Sequence, residues 1–181
     1  ASCERCHQKE YAAWKSSLHI KMTKPVAEAT ILGDFRDGTK FSDHDRAYTF
    51  SSKNGKPVIT ISFGGKPAET FTVDYTLGSK RYQGYLSMLP EGRMYVLPVF
   101  WHVADKRWID WKEITPIPEG AHAIRQIWNA NCFNCHATNI AQGFDATEKA
   151  YKTTWTEMGI GCEACHGPGK PHVTLAEAWE R

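Results

Sequence analysis

The chain has 181 residues, 41% of them hydrophobic and 23% charged, with 22 basic against 20 acidic side chains and a net charge of +2. That length suits one compact domain or two small ones sharing a core. The balanced charge gives no case for a nucleic-acid partner, and no apolar run is long enough for a membrane span.

In chain order, the first feature is Cys3-Glu-Arg-Cys6-His7. Residues 8–24 then read as a helix, because Tyr11, Trp14, Leu18 and Met22 recur at three- to four-residue spacing and Pro25 stops it. Residues 45–115 read as a small antiparallel β module. Val58 to Phe63 alternates, Gly64-Gly65-Lys66-Pro67 turns, and Thr70 to Leu77 alternates again. Further strands are expected at 84–89, 94–103 and 108–111. Residues 116–120 are a linker, and 116–181 form a C-terminal region of loops and short helices that ends in a helical stretch from 174. Within that region lie Cys132-Phe-Asn-Cys135-His136 and Cys162-Glu-Ala-Cys165-His166.

All six cysteines are used in these three motifs, and every second one is followed by His. Two residues between cysteines make a poor structural disulfide. A four-cysteine zinc site from the last two pairs would orphan Cys3 and Cys6 and leave the three histidines without a reason. A redox dithiol would be needed three times over. Cys-x-x-Cys-His is the attachment pattern of c-type haem: two thioether anchors and an adjacent imidazole for iron. Three haem c groups are therefore expected, on Cys3/Cys6, Cys132/Cys135 and Cys162/Cys165, with His7, His136 and His166 as proximal iron ligands. Each haem adds two propionates and, when ferric, one positive charge, so the loaded chain carries about −1 oxidised and about −4 reduced.

Five histidines remain for the opposite side of the irons. His19, on the expected first helix, and His172, after the stiff Gly167-Pro-Gly-Lys-Pro171 turn, are the leading candidates. His172 follows His166 too closely to reach around the same haem, so a neighbouring haem is its expected target. His122 is the third candidate; His102, on an expected strand, and His44, in an Asp-rich loop, rank below it. The methionines fit core packing better than ligation. Filled sixth positions make electron relays; an open one would admit nitrite, nitric oxide, hydroxylamine or peroxide.

The fold expectation is α+β with much irregular structure: three covalent haems forming the core, and the β module inserted between the first and second motifs. Its divisions are 1–44, 45–115 and 116–181. No catalytic residue is assigned. The expected function is a triheme electron-transfer protein rather than an enzyme, with redox proteins as partners. The alternative is a haem enzyme acting on a small nitrogen oxide at a five-coordinate iron. The first motif lies so near the chain start that a second copy could cover its haem, which raises a homo-oligomer or an extracellular conductive filament. Covalent haem attachment takes place outside the cytoplasm, so a periplasmic or extracellular location is expected, with a signal peptide already removed.

A resemblance covers nearly the whole chain. Cys132 to Asn139, Gly143-Phe-Asp145, Tyr151 to Glu157 and Gly161 to Gly169 with His172-Val173 resemble the cytochrome c554-like family of multihaem c-type cytochromes, whose haem domain is often fused to tetratricopeptide repeats. Tyr11 to His19, Ile31 to Phe35, Tyr75 to Gly78, Tyr82 to Leu86, and Gly92 through Trp101 to Trp108 match as well. The resemblance implies distal ligation at the positions of His19 and His172. The chain departs from the pattern in carrying no tetratricopeptide repeats, and in His102, which stands where the family tends to have Asp.

Overall fold

The computed structural model describes residues 3–43, 45–115 and 125–179. It is α+β, with antiparallel sheets at its centre and short helices in the segments that carry the cysteines. A 3-10 turn at Cys3–Arg5 leads into α1 (Gln8–Ser16) and then β1 (Thr23–Pro25). Helix α1 is shorter than the 8–24 periodicity predicts. Ser17 ends it with an extended backbone (φ −77°, ψ 171°), its N–H turned back to Trp14 O at 2.9 Å. The chain is needed elsewhere: Thr23–Pro25 pairs with a sheet strand, and that tertiary ladder overrides the weak helical pattern of Leu18 and Met22.

A four-stranded meander follows: β2 (Thr39–Asp43), β3 (Arg46–Lys53), β4 (Lys56–Phe63) and β5 (Glu69–Thr72). Asn54 and Gly55 join β3 to β4 with φ of 52° and 75°, the left-handed pair that a two-residue hairpin turn requires. The second sheet comprises β6 (Tyr75–Leu77), β7 (Tyr82–Met88), β8 (Met94–Val96), β9 (Val99–His102), β10 (Arg107–Asp110) and β11 (Gln126–Ile127), in the order β1-β6-β7-β8-β11, with β9 on β7 and β10 on β9. The β structure therefore starts at Thr39, before residue 45, and recruits β1 and β11 from the flanking cysteine-bearing segments.

The two sheets enclose a core of side chains. Phe50 and Trp108 stack at 3.8 Å, and Phe35 stands edge-on to Phe50, Tyr85 and Trp108. Much of the aromatic content thus serves the β module. At its polar edge Asp110, fully buried, meets Arg46 at 3.3 Å and accepts the Tyr48 hydroxyl at 2.6 Å. A second cluster of Leu86, Met94, Val96, Trp128 and Ala137 extends to Cys132 and Phe133.

Beyond β11 the chain runs through α2 (Trp128–Asn131), α3 (Phe133–His136), β12 (Ala137–Thr138), β13 (Phe144–Asp145), β14 (Ala150–Tyr151), β15 (Glu157–Met158), α4 (Cys162–His166) and α5 (Lys170–Trp179). The final helix begins four residues before the expected 174. Strand β12 pairs with β15 and β13 with β14.

Candidate haem-binding site

Each Cys-x-x-Cys-His motif lies on a single helical turn. In the first, His7 N–H closes the turn on Cys3 O at 2.9 Å and His7 then opens α1. In the second, Cys132 N–H bonds Trp128 O and Cys135 N–H bonds Cys132 O. The third is α4 itself. A helical turn brings residues i and i+3 to one face, so both sulfurs of a motif point the same way. In every pair the first cysteine is half-buried and the second exposed. That arrangement presents a two-point anchor at the surface of each turn, as a double thioether to one ring edge demands.

The motifs are brought together by contacts distant in sequence. Cys3 and Cys162 are neighbours: burial first, then the nearby Cys3, pushes the Cys162 thiol up. The His7 and His172 rings lie 6.1 Å apart, tilted by 30°. A metal–imidazole bond is about 2 Å and the ring centre lies about 1 Å further on, so two imidazoles facing each other across one ion have centres about 6 Å apart. Arg5 pairs with Glu177 across the same junction at 3.3 Å. The third motif also meets the second. The Thr138 hydroxyl donates to Gly159 O at 2.8 Å and accepts Gly161 N–H at 2.7 Å. Glu163 accepts Asn139 Nδ2 with one oxygen and Gly169 N–H with the other, which stiffens the turn that leads to His172.

The remaining histidines separate by position. His19 is not on the helix but in the loop after it. His19 O accepts Ile160 N–H at 3.0 Å, and Trp14 Nε1 donates to Ile160 O at 2.7 Å, so His19 lies beside the approach to Cys162. The side chain of His136 is half-buried; among the described residues its Nδ1 has no hydrogen-bond partner, and burial holds its pKa below the ordinary value. A neutral imidazole is the form that ligates a metal. Thr23 Oγ1 donates to His136 O at 3.1 Å and ties this motif to β1. His102 has all its named partners inside the β module: Nδ1 faces Asp105 N–H at 3.1 Å and the ring meets Tyr82 at 5.1 Å. The candidates His44 and His122, and the linker 116–120, lie outside the described residues.

Ser17, Thr138 and Glu163 escape a reading of the sequence because nothing in their spacing marks them; Thr138 and Glu163 act on partners 21–24 residues away. The donor set fits haem c: sulfur pairs on helical turns, each followed by an imidazole, and two imidazoles whose centres lie 6.1 Å apart.

Helical thioether anchors, each followed by an imidazole, define a c-type cytochrome. A comparison with protein families matches residues 2–47 and 109–167 to cytochrome c554 and c-prime, on either side of most of the β module. The match spans more than half of the chain, which belongs to this family. It is a cytochrome of electron transfer that carries covalently bound haem c, in a family whose proteins are usually exported. Among the described residues no helix is long and apolar enough to cross a membrane. Neither curated proteins nor solved structures returned a match.

Proposed function

We propose that the protein is an exported triheme electron relay whose first and third haems exchange axial ligands. The observation that carries this reading is the junction of the first and third motifs, with Cys3 against Cys162 and His7 opposite His172. In this reading Cys3 and Cys6 anchor the first haem between His7 and His172. Cys162 and Cys165 anchor the third between His166 and His19. Cys132 and Cys135 anchor the second on His136, with His122 as the sixth ligand. Bound haem supplies a one-electron iron couple; two imidazoles per iron close it to substrates and lower its potential relative to His/Met ligation.

The protein's part is to hold the three anchors close. The third motif neighbours both others, with Cys3 and the His7–His172 ring pair on one side and hydrogen bonds to Thr138 and Asn139 on the other. The third haem is therefore the middle station, and the path runs first, third, second rather than in chain order. In this reading electrons leave at the first haem, toward a redox protein or a second copy in a filament. A periplasmic or extracellular site follows from the chemistry of haem attachment.

Iron quantification and the low-temperature electron paramagnetic resonance spectrum of the oxidised holoprotein test the reading. Three haems per chain, all low-spin, are expected. A stoichiometric high-spin signal that shifts with nitrite or nitric oxide would replace it with the enzyme alternative. Electron microscopy of concentrated protein decides the filament: polymers support it, and a monomer removes it.

A further inference from the structure

We infer that Ser17 is a positioning residue for the haem that His19 ligates: its hydroxyl accepts the imidazole Nδ1–H, directs Nε2 to the iron and lowers that haem's potential. The inference rests on the reading of His19 as a sixth ligand.

Ser17 Oγ lies 3.4 Å from His19 Nδ1 and accepts the His19 backbone N–H at 3.2 Å. A hydroxyl has two acceptor lone pairs, so one oxygen can take both N–H groups. The tautomer follows from ligation. With iron on Nε2 the proton resides on Nδ1, and Ser17 Oγ is the acceptor within its reach. The opposite polarity, Ser17 O–H into Nδ1, requires a proton on Nε2, where the iron would be.

The surrounding chain holds this pair rigid. Ser17 is fixed as the end of α1 by its N–H bond to Trp14 O, and the same Trp14 reaches across to Ile160 O. His19 O accepts Ile160 N–H at 3.0 Å and Met22 N–H at 3.2 Å. The His19 backbone is thus clamped to the segment entering the third motif, while the hydroxyl two residues earlier fixes the ring. His136 differs: its buried Nδ1 has no acceptor among the described residues. An imidazole whose N–H is accepted donates more electron density to its metal, which favours the ferric state. Two haems of equal ligand type are thereby set at different potentials.

The test uses the full holoprotein with S17A, S17T and H19A, read by spectroelectrochemistry and electron paramagnetic resonance. For S17A we expect one of three midpoint potentials to rise and two to stay, with all haems low-spin and the thermal midpoint unchanged. S17T should restore the potential. H19A should turn one haem high-spin. Unchanged potentials in S17A beside a high-spin haem in H19A would overturn the role of Ser17 and leave His19 a ligand. Three low-spin haems in H19A would overturn the assignment on which it stands.

Discussion

Thr138 is 1% exposed, and its hydroxyl is both donor to Gly159 and acceptor from Gly161. Valine has its shape but neither function, so T138V leaves a buried carbonyl and a buried N–H without this partner. We expect a loss of about 2 kcal/mol in thermal or denaturant unfolding, with the second and third motifs loosened. Asp110 is the counterpart in the β core. D110N removes the charge that faces Arg46 in a dry site while keeping the shape, and should cost about 3 kcal/mol by the same measurement. His136 gives the pH dependence. Burial lowers its folded pKa, so the folded state binds fewer protons than the unfolded state near the ordinary value of about 6.5. Its contribution is full above that pH and is lost as pH falls through the lowered folded value. A C132S/C135S variant, in which His136 is a free imidazole, should lose stability below about pH 6.5 more steeply than the loaded protein.

At the scale of elements, turns and ends decide what periodicity alone does not. The β3–β4 hairpin is local: Asn-Gly at the turn and alternation in both strands agree. Helix α1 is not, because its end depends on β1 pairing with β6 more than fifty residues later. The turn before β8 is a second long-range case. Gly92 has φ +69°, and a Cβ there would run into the Tyr151 carbonyl of β14. G92A should therefore cost about 2 kcal/mol from left-handed strain alone, with the clash added, and urea titration would show it as a lower midpoint at constant slope.

Across the whole molecule, buried side chains are concentrated in the β module and beside the second motif. Between residues 3 and 22 none is buried, and α4 and α5 bury none either. In the proposed triheme reading these segments need the haems to hold them. In a chain without haem we expect protease to cut within 3–22 and 162–179 and to spare the β module, and in the loaded chain to cut neither. Replacing His172 is the direct test of the first haem's ligation. H172A should turn one of three haems high-spin and let one equivalent of carbon monoxide bind the reduced protein, whereas H102A should leave all spin states as they are.

The sequence by itself determined the cysteine pairs, their histidines, the haem class and the alternating strands, because each is a short-range pattern set by covalent geometry or by the two-residue period of a strand. Tertiary structure alone decided which motifs adjoin, which imidazole faces which, and where α1 stops. His7 and His172 are 165 positions apart, and Cys3 and Cys162 are 159 apart. No local spacing encodes such meetings. They arise from packing three cysteine-bearing turns around one β core, and in the proposed reading that packing makes one electron path of the three motifs.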